Sequence, residues 1–390
     1  MNAARMETFD GYRRSDGRVG IRNHVLVLSP TGLTSAAANR VSGLVRGTIS
    51  VTSGFGRGQV AADAALHFDT LAGLATHPNV AAVLVMSASD EITARHVDAI
   101  AATGKAVAGL SLPGCREDAL ALVDAGVRAA TRMVRTASAL RREACAIADL
   151  CIAVECGHSD ASSGLVANPL VGRIVDRIVG AGGQAMFSET VEWTGAEHLL
   201  ARRAVNRDVA NRILRAVVER ERMIQDAGGD VRAQNPGPQN RAGGLTTIEE
   251  KALGAIAKGG DAPIRGLLRA TERPREPGLY LMDTPYFSPE SMTAMIAGGA
   301  QLVVFTTGAG NSYCSLVAPT MKVSANAEAC AHLTEQIDFD ATAALHGAAT
   351  LDDIAHQAID KLLGIASGTF TFGEITGEGS EVVSRLGPSM

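Results

Sequence analysis

The sequence predicts an α/β protein of two domains with mainly parallel sheets, the first doubly wound in the flavodoxin or Rossmann manner. Three observations carry this. From Asn23 to about Ala139, short runs rich in β-branched residues alternate with Ala-rich helical stretches, the rhythm of βαβ units. Near residue 145 that pattern stops and restarts with a different texture. The length, 390 residues with 46% apolar and 20% charged, leaves room for more than one core. The expected domains are residues 1–145 and 146–390.

In the first domain, His24 to Ser29 reads as a strand, Thr34 to Val45 as a helix and Gly47 to Ser53 as the second strand. Asn79 to Ser87 is the clearest buried strand, followed by a helix from Asp90 to Thr103. Lys105 to Leu112 is the next strand and Glu117 to Ala139 a longer helix. The second domain opens with a strand from Asp149 to Glu155, a helix from Pro169 to Gly180 and a strand from Gln184 to Ser188. A long charged helix is expected over Ala196 to Ala227. Gly228 to Gly244, dense in Gly, Pro and Asn, reads as a loop. Thr246 to Lys258 reads as a helix whose Thr247 and Glu250 have capping-box spacing. Leu279 to Met282 and Gln301 to Thr306 read as strands flanking a helix from Pro289 to Ala297. Residues after Gly373 are polar enough to fray.

Composition excludes several classes. The net charge is −5, from 36 Lys and Arg against 41 Asp and Glu, so no general attraction for nucleic acid or anionic membrane is expected. Any acidic ligand must meet a local basic site. Six cysteines, at 115, 145, 151, 156, 314 and 330, are too sparse and irregular for a disulfide framework. The N-terminus lacks an apolar signal core, and Val80 to Ser89 is about half the ~20 residues of a membrane helix. A soluble, reducing, cytoplasmic setting is expected.

Polar residues gather where the expected strands end, which is where open α/β sheets bind ligands. Cys156, His158 and Asp160 could offer a thiolate, an imidazole and a carboxylate to Fe(II), Mn(II) or Zn(II). The alternative is a buried Cys, a partly exposed His and a capping Asp. Glu189 and Glu192 could act as ligand and acid/base, or as a pair whose repulsion raises one pKa; equally, one of them starts the next helix. His198 reads more simply as a packed or solvated helical residue. Arg13, Arg14, Arg18 and Arg22 precede the first strand, where guanidinium forks would suit a carboxylate or merely form a solvated lead-in. Thr306, Thr307 and Asn311 belong to a Gly-rich turn able to hold an oxyanion, which is not a Walker loop. Lys251 is a site lysine or an exposed helical one.

These segments also carry a resemblance. DGYRRSDGRVGIRNHVLVL, ECGHSDASSGLVANPLVGRIVD, SETVEWTGAEHLLARRA, GGLTTIEEKALGAIAKGG, GLYLMDTP and GGAQLVVFTTGAGN closely resemble the altronate/galactarate dehydratase family, in order, from Gly11 to about Asp340. The resemblance implies a lyase that eliminates a β-substituent from a 2-hydroxy acid. The main expectation is loss of water from altronate or galactarate, giving a 2-keto-3-deoxy acid; the alternatives are release of sulfite from sulfolactate and a non-catalytic member. It implies a divalent metal, Fe(II) or Mn(II), a small-molecule hydroxy-acid substrate, a separate small partner subunit and a homo-oligomer. Abstracting a C–H beside a carboxylate needs fixed cationic groups and a tuned base.

On this basis His158, Glu189, Glu192 and Lys251 are the candidate catalytic residues. Arg18, Arg22, Asn23, Ser159, Asp283, Thr284, Thr306, Thr307 and Asn311 are candidates for substrate binding, and Cys156, His158 and Asp160 for the metal. Two segments depart from the family. Thr52 to Gln59 has no Cys or His where the dehydratases tend to have a His-x-His-Gly-Cys-Gly type segment. Phe55-Gly-Arg57 with Asp63, His67 and Phe68 looks more like the sulfo-lyase large subunit, whereas Ala262 to Arg265 and Leu279 to Thr284 in the later half look more like the sugar-acid enzymes. Ser312-Tyr-Cys-Ser315 also differs, which suggests an altered substrate pocket.

Overall fold

The chain enters through an antiparallel hairpin, β1 (Thr8–Arg13) and β2 (Val19–Gly20); the computed structural model describes residues 8–387 and 389. Next come β3 (His24–Ser29), β4 (Thr48–Thr52), β5 (Val80–Ser87) and β6 (Ala106–Ser111). They form a parallel sheet in the order β4-β3-β5-β6. The chain leaves β3 in one direction and returns past it to β5, the doubly wound order. Helices α1 (Gly32–Leu44), α2 (Ala61–Ala75), α3 (Asp90–Ala101) and α4 (Ala119–Ala137) follow these strands. Ser89 caps α3 by accepting the Ile92 N–H, and Asp118 caps α4 through Leu120 and Ala121, satisfying backbone donors that a helix start leaves open.

The residues around the expected boundary are themselves a strand. β7 (Glu143–Ala146) pairs antiparallel with β1, so a three-stranded sheet, β2-β1-β7, ties the two halves together. The second half holds β8 (Cys151–Gly157), β9 (Gln184–Phe187), β10 (Ile264–Arg269), β11 (Gly278–Asp283), β12 (Leu302–Thr307), β13 (Thr320–Ser324) and β14 (Phe339–Asp340). All seven are parallel, in the order β10-β11-β9-β8-β12-β13-β14. The direction of winding reverses between β8 and β12, which marks the carboxyl end of β8 as the crevice where such sheets take ligands.

The two sheets share one core. Leu26, Leu28, Leu71 and Leu74 of the first half pack with Ala153, Met186, Met282 and Phe305 of the second. Gly73 on α2 lies so close to the later helix Ser288–Ala297 that a Cβ would sit 2.6 Å from the Ala297 carbonyl oxygen; only glycine permits that approach. Asn79 donates to the carbonyls of Gln301 (2.9 Å) and Val317 (3.0 Å) across the buried seam.

Three local expectations are corrected. The charged helix over 196–227 is two helices, α5 (Asn168–Gly180) being followed by α6 (Glu197–Arg202) and α7 (Arg207–Asp226). The break falls where Ala204 bridges to Ile264 and Asn206 caps α7 by accepting the Val209 N–H. The Gly/Pro/Asn stretch contains two short helices, α8 (Val231–Gln234) and α9 (Pro238–Ala242), the first capped by Asp230. The polar tail is pinned rather than frayed: Glu381 accepts from Leu316 N–H and Thr293 Oγ1 (both 3.0 Å), and Asp63 accepts the N–H groups of Leu386 and Gly387 (2.7 and 2.8 Å). Polarity there serves long-range acceptors that local sequence does not reveal. Among the described residues no helix is long and apolar enough to cross a membrane.

Candidate active site

Four elements converge at the carboxyl ends of β8 and β9. β8 delivers Glu155 and Cys156. The turn after β9 delivers Glu189 and Glu192, and α10 (Ile248–Ile256) with the turn after it delivers Lys251 and Lys258. Glu189 has φ 63° and ψ 70°, a left-handed conformation costly for a side chain of this kind and most often found at functional sites. Its N–H is held by Thr284 Oγ1 at 2.9 Å.

Lys258, with no exposed side-chain surface, is the hub. Its Nζ donates to Glu192 Oε2 (2.9 Å) and Cys156 Sγ (3.0 Å) and lies 3.7 Å from Glu155 Oε1. The Cys156 thiol in turn donates to Glu192 Oε2 (2.9 Å). Lys251 Nζ lies 3.3 Å from Glu192 Oε1 and donates to Asn235 Oδ1 (2.9 Å) and to the Tyr286 hydroxyl. Glu155 is fixed by Ser188 (3.1 Å) and Ser291 (2.6 Å).

The two neighbouring glutamates are driven apart in acidity. Burial opposes ionisation of Glu192, but the ammonium groups of Lys258 and Lys251 outweigh it and bring the carboxyl down to about 2. Burial, and then the charges of Glu155 and Glu192, push Glu189 well above the usual carboxylate range. Burial and the Glu192 charge likewise hold Cys156 as a thiol, whereas Lys251 and Lys258 stay charged because their acidic partners outweigh desolvation. A fixed anion and a proton-holding acid within one cluster is the pattern of acid–base chemistry.

A cavity of about 240 Å³ opens on this cluster, lined by Cys156, Glu189, Glu192, Lys251 and Tyr286 together with His158, Ser159 and Asn240. His158, at φ 51°, bonds the Gly310 carbonyl through Nδ1 (2.9 Å). Cys156, His158 and Asp160 do not meet at one point. Asp160 turns away to accept from Ser162 (2.7 Å), the Ser163 N–H (2.8 Å) and Asn326 (2.7 Å), and it packs where a Cβ on Gly308 would come within 2.3 Å of its carboxyl carbon.

Glu155, Cys156, Glu189 and Glu192 instead offer donor atoms within 4.8 Å of one another, all buried, a set that could bind a metal. As folded, however, the ammonium of Lys258 stands against three of the four residues. The donors fit a protein cation, and a metal would require Lys258 to withdraw.

The other candidates spread into two layers. Thr284 holds the Glu189 backbone, Thr306 bonds Asn168 (2.6 Å), Thr307 accepts the Gly310 N–H (3.0 Å) and Asn311 accepts the Tyr313 N–H (2.9 Å). Asp283 accepts from Thr190 and Arg220, both at 2.6 Å. Arg18, Arg22 and Asn23 lie elsewhere. Arg22 is 4% exposed and forks onto Glu374 (2.6 and 2.8 Å), while Asn23 bonds Arg14 and the Ala137 carbonyl (both 2.9 Å). Glu155, Lys258 and Tyr286 were not singled out by sequence reasoning. One signal was present: Lys258 follows Lys251 by seven residues, two helical turns, in an otherwise apolar run.

Fold and cluster together define an α/β protein with a buried cluster of carboxyl, thiol and ammonium groups at the carboxyl ends of a parallel sheet. The chain belongs to the D-galactarate/altronate dehydratase family: residues 147–389 match the family's C-terminal domain and residues 11–138 its second domain, described for D-galactarate dehydratase/altronate hydrolase. It is 40% identical to the (2R)-sulfolactate sulfo-lyase subunit beta of Chromohalobacter salexigens over 97% of both chains. It is 29% identical to the altronate dehydratase of Escherichia coli, over 93% of this chain and 74% of that one. With the galactarate dehydratase (L-threo-forming) of Escherichia coli the identity is 34% over 63% of this chain and 47% of that one. The relatives are lyases by name.

Proposed function

We propose that this protein is a β-eliminating lyase acting on a small 2-hydroxy acid, and that its leaving group is sulfite: the large subunit of a sulfolactate sulfo-lyase. The observation that carries the choice of leaving group is the 40% identity to a sulfo-lyase subunit over 97% of both chains, against 29 to 34% and shorter shares of the dehydratases. The segment that departs from the dehydratase pattern packs against the helix Ala61–Ala75 and the C-terminal tail. Ser53 bonds His67 (2.9 Å), Phe55 stacks obliquely on His67, Arg385 lies over Phe55 and Asp63 holds the C-terminal tail. A cavity of about 240 Å³ lies below the ~300–1,000 Å³ of drug-sized ligand sites, which suits a three-carbon acid. The relative's designation as subunit beta supports a separate partner subunit.

In this reading Lys251 and Tyr286 bind the substrate carboxylate, and Glu192 with Lys258 fixes Lys251 in place and charged. Glu189 exchanges the reacting proton. The site favours its protonated form, so its ionised form is a stronger base than an ordinary carboxylate. Ionised Glu189 takes the C2 proton, and the pair from the C–H bond is held in the carboxylate beside Lys251. That pair then forms the C2=C3 bond as the C3–S bond breaks and sulfite departs with its own pair. The resulting enol loses its hydroxyl proton to water and regains one at C3 from Glu189, giving a 2-keto acid. The divalent metal that the resemblance implies, Fe(II) or Mn(II), would be held by Glu155, Cys156, Glu189 and Glu192 with Lys258 displaced, and would supply a Lewis acid there.

The test is a product assay on the chain together with its partner subunit, with (2R)-sulfolactate, altronate and galactarate offered in parallel. Sulfite and pyruvate formed in equal amounts from sulfolactate are the expected result. A 2-keto-3-deoxy acid from either sugar acid, with no sulfite from sulfolactate, would instead establish the dehydratase reading that the two Escherichia coli relatives support.

A further inference from the structure

A second cavity, of about 360 Å³, lies at the opposite end of the second sheet. Its floor is Cys151, Gln184 and Gln301, at the amino ends of β8, β9 and β12. Cys151 and Cys156 are five residues apart on one strand, roughly 16 Å at ~3.3 Å per residue. A ligand here cannot touch the acid–base cluster.

The walls bring Arg18 and Arg273 together with Asp16 and Asp149. Arg18 Nε and Nη2 are satisfied by Asp16 (2.7 and 2.6 Å), and Nη2 also by the Thr76 carbonyl (2.7 Å). Arg18 Nη1 is buried with no acceptor, a donor that costs about 1–3 kcal/mol to leave unmade and more when charged. Arg273 lines the same cavity and, among the described residues, its guanidinium has no hydrogen-bond or ion-pair partner. The lining acids are taken: Asp16 by Arg18, and Asp149 by Arg13 at 3.5 Å. Lys105 and Arg14 stand close behind. Desolvation, then the charges of Arg14 and Arg18, bring Lys105 down to about 7. Arg273 stands at the solvent-exposed rim, where partial desolvation, then the charge of Arg18, lowers it. The arginines repel one another, and among the described residues Asp16 is the acid whose charge acts on both Arg18 and Arg273.

We infer that this cavity is a binding site for a small oxyanion, of the sulfate or phosphate class, gripped by Arg18 Nη1 and the Arg273 guanidinium and separate from the active site. Guanidinium forks match such oxyanions, and a bound dianion would satisfy the buried Nη1 and relieve the repulsion between the two arginines. The inference does not depend on the identity of the substrate.

The experiment titrates inorganic sulfate and phosphate against sodium chloride at matched ionic strength, reading the melting temperature and the heat of binding. Wild-type protein should show a saturable rise in melting temperature with at least one oxyanion beyond the chloride control. Arg273→Ala, which removes no contact that the fold uses, should weaken that binding at least tenfold, and Arg273→Lys should restore part of it. Lys251→Ala, in the acid–base cluster, should leave it unchanged. No saturable response to either oxyanion overturns the inference. So does a response that survives Arg273→Ala or is lost in Lys251→Ala, since that places the anion in the active site.

Discussion

Lys258 Nζ and Glu192 Oε2 meet at 2.9 Å with their side chains 0% and 2% exposed. Lys258 has no access to water and Glu192 almost none, so each depends on the other. Cys156 and Lys251 complete the ring by bonding the same carboxylate. A buried pair of this kind is weak as net stabilisation, but breaking it from one side strands a charge.

Lys258→Met should therefore destabilise the protein by about 3–5 kcal/mol, seen as a lower midpoint of urea unfolding, and should abolish turnover. Lys258→Met combined with Glu192→Gln should recover much of the stability without restoring activity. Equal loss in the single and double variants would refute the dependence.

Glu189→Gln should lower kcat by about 10²–10⁴ while leaving KM within a few-fold, because the amide keeps the shape but cannot exchange a proton. A change confined to KM would remove Glu189 from proton transfer.

Lys251→Met and Tyr286→Phe act on the substrate side. Lys251→Met should raise KM strongly and lower kcat. Tyr286→Phe should do so to a smaller degree, because Lys251 keeps Asn235 and Glu192 as partners. Steady-state kinetics on both variants separates an anchoring role from a purely structural one, which would lower the amount of folded enzyme without changing KM.

Stability should respond to pH in opposite senses at the two glutamates. Glu192 is depressed to about 2 from an ordinary value of 4.5, so its contribution is present above 4.5 and is lost as pH falls towards 2. Glu189 is raised well above 4.5. Its contribution is full below 4.5 and is lost as pH rises through its elevated value, because the folded state then binds more protons than the unfolded one. Glu189→Gln should flatten that decline on the neutral side, whereas Glu192→Gln should remove the acid-side loss. Unfolding midpoints measured across pH give both comparisons.

Asp63→Ala should release the C-terminal tail, since it deletes the acceptor for the Leu386 and Gly387 N–H groups. Limited proteolysis should then trim the tail faster, with little change in the global unfolding midpoint. An unchanged cleavage rate would mean that Glu381, Val382 and Arg385 hold the segment without Asp63.

The sequence by itself determined the α/β class, the strands of the first sheet and most of those of the second. Alternating β-branched runs and Ala-rich helices are signals carried within a few residues of each other. It also placed Cys156, Glu189, Glu192 and Lys251 at strand ends and on a helix near the crevice. Tertiary structure decided the rest. Residues 8–11 and 143–146 are strands only because each supplies the other's hydrogen-bond partners from the far side of the first domain. Arg22 reads as an anion-binding fork until Glu374, far along the chain, is folded onto it. Asp160 reads as a metal ligand until Ser162, Ser163 and Asn326 claim its oxygens. In the sequence Lys258 is simply the last residue of the helix expected over Thr246 to Lys258. Burial against Glu192, Cys156 and Glu155 makes it the centre of the site, because an ammonium withdrawn from water must be surrounded by acceptors that only the assembled fold can bring together.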